Sequence, residues 1–261
     1  MSGAAALRAE WIKLRTVRST KWTVVGIVGS TVLITMFFCA VGHTDASAAG
    51  QGDDDVVANS LRGVYVGQIV AIVLGALAFT SEFGTRLIAA TFTAMPRRPL
   101  VLAAKAAAVS AVAFPAALVA CVVSFLVAQP LLHGGGYVPP AYPLVYLTDP
   151  VVLRAVVGSA LFLTALALLG LGVGAVVRHA GAAVSVLLGL LLVPIVVAAL
   201  LPRSVADTLW KAAPSAGLAV QATVDRADNI PIGPWAGLGV TAAWAALALL
   251  AGACFTRNRD A

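Results

Sequence analysis

The chain has 261 residues, 61% of them hydrophobic and only 11% charged, with a formal net charge of +6. Soluble domains carry about 25% charged residues, so this composition excludes an ordinary water-soluble fold. Apolar stretches and short loops use up most of the chain and leave no room for a separate soluble domain, which takes about 100 residues or more.

Residues 4–21 are predicted to form an amphipathic helix. Leu7, Trp11 and Leu14 fall at i, i+4 and i+7 and make one apolar stripe, flanked by Arg8 and Arg15 on one side and Lys13 on the other. Such a helix lies in the membrane interface with its cations near anionic headgroups. The same basic residues also read as a tail that orients the first span.

Six apolar stretches follow, at 22–41, 63–81, 106–127, 155–177, 182–201 and 233–255. Each has about 20 residues, enough at a 1.5 Å rise to cover the hydrocarbon core. None contains Asp, Glu, Lys or Arg, each of which costs about 2.5–3.5 kcal/mol at mid-helix. The fold class expected is therefore an all-α integral membrane protein, a single transmembrane domain over 1–261. The first stretch exceeds the roughly 7–15 residues of a signal-peptide core, so it is expected to stay as a span, although Ala46-Ser47-Ala48 resembles a cleavage site.

The connections have their own character. The loop 43–62 is small and acidic. Its Asp53-Asp54-Asp55 lacks the spaced oxygen ligands and closing Glu of a calcium loop and reads as a solvated charge run. The segment 82–99 is apolar in the middle but too short to span. A short helix is expected there, capped by Thr85, with Glu82 near its positive end and stopped by Pro96. Pro115 should kink the third span. Loop 132–149, with Gly134-Gly135-Gly136 and Pro139-Pro140, reads as a connector without chemistry. Spans four and five must form an antiparallel hairpin turning at Arg178-His179. His179 has no companion ligand and reads as solvated or interfacial. Segment 202–232 is expected to hold one or two short helices, at 205–213 and 216–224, broken at Pro214 and packed on the bundle. The pairs Gly63/Gly67, Gly170/Gly174 and Gly233/Gly237 favour close helix packing.

Charge gives orientation. With the N-terminus in the cytoplasm, 12 of the 17 Lys and Arg residues fall in cytoplasmic segments, and 8 of the 11 acidic residues fall outside. That is the positive-inside bias. The expected location is the cytoplasmic (inner) membrane, multi-pass, with both termini cytoplasmic. Basic residues that flank spans point to lipid, not to nucleic acid.

Chemistry is sparse. There is no Gly-x-x-x-x-Gly-Lys-[Ser/Thr], so no P-loop binds ATP, and no His-Glu-x-x-His or Gly-x-Ser-x-Gly. Cys39, Cys121 and Cys254 each stand alone. No catalytic residue, bound cofactor or metal site is expected. No carboxylate lies inside a span, which disfavours self-powered transport. Gln68, Thr80 and Thr164 are candidates for a substrate path, although such residues also bond neighbouring helices.

The whole chain resembles the ABC-2 permease family, the membrane subunit of type-2 ABC exporters. Glu10-Trp11-x-Lys13-Leu14-Arg15-Thr16-x-Arg18-Ser19 is similar to the family's N-terminal elbow helix. Glu82-x-Gly84-Thr85-Arg86, then Pro96-Arg97-Arg98 and Lys105, resembles its cytoplasmic coupling segment, with Arg86 where the family more often has an apolar residue. Leu201-Pro202 and Ala213-Pro214-Ser215-Ala216-Gly217 look like its outer segment before the last span. The resemblance implies an exporter of an amphipathic small molecule or peptide. It implies a separate cytoplasmic ABC ATPase holding ATP and Mg, and a second permease copy, identical or related. The other reading is a non-transport membrane protein, a sensor or assembly partner.

Overall fold

A computed structural model describes residues 3–41, 54–84, 98–140, 142–198, 200–224 and 231–258. The elements in chain order are α1 (Gly3–Thr16), α2 (Arg18–Val41), α3 (Val56–Asn59), α4 (Val64–Gly84), α5 (Arg98–Gly134), α6 (Pro150–Val177), α7 (Ala180–Ala198) and α8 (Arg203–Ala212). A 3-10 segment, Pro214–Gln221, and α9 (Pro234–Asn258) complete it. No strand occurs among the described residues. Six helices, α2, α4, α5, α6, α7 and α9, are long and apolar enough to cross a membrane. The chain is an all-α multi-pass membrane protein.

The helices overrun the apolar stretches that nucleate them. α5 has 37 residues and is therefore about 55 Å long, against a hydrocarbon core of about 30 Å. It runs on through Pro115 and Pro130. The bond each proline removes does not end the helix, because apolar surroundings offer the remaining backbone groups no other partner. Glu82 and Gly84 belong to the last turn of α4. Glu82 thus stands at the negative end of α4, since no breaker interrupts the helical run before Gly84. The expected start at Thr85 lies outside the described residues, as do Arg86, Pro96 and Arg97.

α6 is the central helix. In its span window 72% of residues are buried, against 17% for α9, and it packs on α4, α5, α7, α9 and the 3-10 segment. Small residues bring the backbones together. A Cβ on Gly75 of α4 would lie 1.7 Å from the Ala167 carbonyl oxygen of α6, and one on Gly170 would lie 2.4 Å from the Ile72 carbonyl oxygen. A Cβ on Gly63 or Gly67 would meet Thr31 of α2 at 1.7 and 2.3 Å. Two of the three glycine pairs thus serve close approach as expected; Gly233 opens onto free space. Contacts advance together along α4 and α6 and run in opposite senses along α2 and α4, as successive crossings require. Six crossings return the chain to the face where it started, called here the terminal face.

The hairpin between α6 and α7 turns in two residues. Arg178 takes a left-handed conformation, φ 60°, and the His179 Nδ1 accepts the Ala182 N–H at 3.3 Å. His179 is thus a cap for α7.

Candidate functional site

The terminal face is built around one buried ion pair. α1 presents Ala6, Glu10 and Leu14 inward, at i, i+4 and i+8, while Leu7, Trp11 and Ile12 are exposed. Leu7 and Trp11 of the expected apolar stripe thus stay on the outer side of α1, as an interfacial helix requires, and the face toward the bundle is Ala6, Glu10 and Leu14. In a membrane protein lipid accepts apolar side chains, and the carboxylate is the group that needs a partner inside. Glu10 Oε2 accepts from Lys105 Nζ at 2.6 Å and Glu10 Oε1 from Lys13 Nζ at 3.1 Å. Glu10 and Lys105 are 4% and 3% exposed. Lys105 also donates to the Ala78 carbonyl of α4 at 3.4 Å. Arg15 lies 6.0 Å over the Trp11 ring, on the solvent and headgroup side of α1.

Lys105 lies two turns into α5, and Ala78 less than two turns before the end of α4. The ion pair therefore ties α1 to both helices that the segment 85–97 connects. Beside it a cleft of about 230 Å³ is lined by Leu14, Ser19 and Thr20, Leu74 and Leu77, and the three charged groups. Of the residues read as coupling from sequence, Glu82, Gly84 and Arg98 sit at the two helix ends; Thr85, Arg86, Pro96 and Arg97 fall outside the described residues.

Of the three polar residues read as a substrate path, Gln68 and Thr80 stand on α4 and Thr164 on α6. Thr80 gives its hydroxyl to the Ala76 carbonyl at 2.8 Å and Thr164 to the Ala160 carbonyl at 2.7 Å, each one turn back in its own helix. Gln68 donates to the Tyr65 carbonyl at 3.1 Å, and its buried Oε1 has no partner. Twelve residues of helix, about 18 Å, separate Gln68 from Thr80.

The opposite face holds a clasp that sequence reasoning missed. Asp55 caps α3, its Oδ1 accepting from Val57 N and Ala58 N at 3.1 and 2.9 Å. The same carboxylate accepts from Thr223 N at 2.5 Å, Thr223 Oγ1 at 2.7 Å and Val224 N at 3.2 Å. Arg154 Nη2 donates to the Ala222 carbonyl at 2.5 Å. These bonds fasten the α2–α4 connection to the tail of the 3-10 segment, whose residues Pro214–Gln221 are all buried. The break at Pro214 and the packing on the bundle agree with the sequence reading. The solvated charge run does not hold for Asp54 and Asp55: α3 follows and presents its N–H groups to Asp55. Tyr137 donates to Asp54 Oδ2 at 3.2 Å. Burial first, then the Asp54 charge and hydrogen bond, push the Tyr137 phenol up to about 12. Tyr137 and Tyr142 pack together with ring centroids 4.8 Å apart, and they join Cys39, Val56, Ala128 and Leu132 in a small buried cluster, so loop 132–149 is more than a connector.

No family model matches this chain, and no curated protein matches it.

Proposed function

We propose that this chain is the membrane-spanning permease of a type-2 ABC exporter, moving an amphipathic small molecule or peptide across the cytoplasmic membrane. The energy comes from a separate cytoplasmic ABC ATPase, which holds ATP and Mg, and two permease copies stand over an ATPase pair. One observation carries the reading: α1, α4 and α5 converge on the buried Glu10–Lys105 pair, and the segment between α4 and α5 is the one that resembles a coupling segment. A push on residues 82–98 acts on the ends of α4 and α5 together, with α1 attached. α4 is seated on α6 by backbone contact at Gly75, so the displacement passes to the central helix. α6 reaches the opposite face, where the Asp55–Thr223 clasp would part as the bundle opens outward.

The test is coupling. Affinity purification from native membranes should recover a Walker-A ATPase, and hydrolysis should require it. Glu82→Ala and Gly84→Val should leave insertion intact but cut ATP-driven transport in vesicles at least fivefold. Arg97→Lys with Arg98→Lys should weaken coupling by removing the planar forks while keeping the charge. Normal transport by all three variants, or hydrolysis by this chain alone, overturns the proposal. Recovery of a signalling or assembly partner in place of an ATPase supports the sensor reading instead.

Orientation is tested separately. In a background lacking the three cysteines, single cysteines at Tyr146 and Asp207, both exposed on the face opposite the termini, should react with an impermeant thiol reagent in intact cells. Protection at both positions reverses the topology.

A further inference from the structure

A second cleft, of about 270 Å³, opens on the face opposite the termini, where the end of α2 meets the α3 connection and the end of α5. Phe37, Phe38 and Tyr137 wall it with rings, and Asp54 and Arg62 place one charge of each sign on its lining. The two charges do not meet. Among the described residues Arg62 forms no ion pair; its Nε donates to Asn59 Oδ1 at 2.9 Å and its guanidinium lies 6.0 Å over the Phe38 ring. Asp54 forms none among them either, and takes a hydrogen bond from Tyr137.

Two opposite charges that share one cleft without pairing are complementary to a ligand that is itself a zwitterion. A guanidinium fork matches the paired oxygens of a phosphate. A carboxylate beside aromatic faces matches an ammonium, by charge and by cation–π attraction. Depth narrows the choice. The apolar run of α2 ends at Val41, so the cleft stands where hydrocarbon gives way to headgroups. Phe37 and Phe38 are 60% and 47% exposed, which continues the apolar surface from the cleft along the helix.

We propose that this cleft binds the headgroup of a zwitterionic phospholipid of the phosphatidylethanolamine type, its phosphate on Arg62, its ammonium on Asp54 and its acyl chains along Phe37 and Phe38. This assignment stands apart from the transport reading. An anionic lipid such as phosphatidylglycerol brings the phosphate but no cation, and leaves the Asp54 carboxylate near a like charge.

The experiment is native mass spectrometry and fluorescence titration of the purified full chain with short-chain phosphatidylethanolamine, phosphatidylglycerol and soluble glycerophosphoethanolamine. Phosphatidylethanolamine should bind at least fivefold more tightly than phosphatidylglycerol. Arg62→Ala should weaken it about tenfold, with Arg62→Lys intermediate. Asp54→Asn, which keeps an acceptor for Tyr137, should abolish the preference over phosphatidylglycerol. Arg62 is on the surface, so these variants should elute and melt as the parent does. Equal binding of the two lipids by the parent overturns the proposal, as does unchanged binding in both Arg62→Ala and Asp54→Asn. Tight binding of the soluble headgroup without any gain from acyl chains also overturns it, and assigns the cleft to a water-borne zwitterion.

Discussion

Replacing Glu10 with alanine is expected to destabilise the purified protein by about 3–5 kcal/mol, the usual cost of leaving one partner of a buried ion pair behind. The Lys105 ammonium is 3% exposed and sits 2.6 Å from the lost carboxylate. Lys13→Ala should cost far less, under about 1 kcal/mol, because that side chain is partly exposed and water screens it. The double change Glu10→Leu with Lys105→Met removes both charges and should recover most of the loss, since an apolar pair of similar volume is often neutral or better. In thermal melts at about 2–4 °C per kcal/mol, Glu10→Ala should fall by about 6–20 °C and the double variant by much less. If single and double variants melt alike, the ion pair does not hold α1 against α4 and α5. The consequence for function follows from the same geometry. A variant with α1 loosened should keep its six spans, which insert by hydrophobicity, while losing the rigid link at the terminal face.

The spans were legible because lipid imposes one rule on them. Every backbone group must be bonded within the segment, so an apolar run of about 20 residues has one outcome. All six stretches read from sequence became helices at the expected places. Their ends were less legible. Beyond the hydrocarbon a breaker or a cap is expected to stop a helix, yet α5 runs past Pro130 and ends only at Gly134. Pro214 was readable as a break because proline cannot continue the α8 hydrogen-bond pattern at that point.

The sites were harder to read because they depend on pairs distant in sequence. Glu10 and Lys105 are 95 residues apart, and Asp55 and Thr223 are 168 apart. Periodicity assigns a residue to a face of its own helix and says nothing about which helix covers that face. On α1 it marks the apolar stripe of an interfacial helix and leaves unmarked that Glu10 faces the bundle. One local signal existed for Asp55: an acidic residue directly before Val56-Val57-Ala58-Asn59 is a ready N-cap. Such a cap draws the carboxylate into structure, away from solvent. No comparable signal marks Thr80 or Thr164, whose hydroxyls are consumed one turn back in their own helices.

Gly75→Val should be the most damaging single substitution in the bundle. A Cβ at Gly75 would stand 1.7 Å from the Ala167 carbonyl oxygen, 2.7 Å from its carbon and 2.8 Å from the Leu171 nitrogen. All three are backbone atoms of the most buried helix, so no side-chain rotation relieves the clash. α4 and α6 must separate by more than an ångström, and a packed interior transmits such a shift to every neighbour. Even Gly75→Ala should therefore lower the yield of monodisperse protein severalfold, and Gly75→Val should abolish it. Gly29 and Gly189 supply the control, because a Cβ at either meets nothing within 4 Å. There the change to alanine should be neutral or stabilise by about 0.5–1 kcal/mol, through helix propensity alone. Size-exclusion profiles of fluorescent fusions across the four alanine and valine variants give the ranking directly. If Gly75→Ala behaves like Gly29→Ala, the backbone seat between α4 and α6 is not there. The route proposed for displacement from the terminal face to the Asp55 clasp would then lose its middle step.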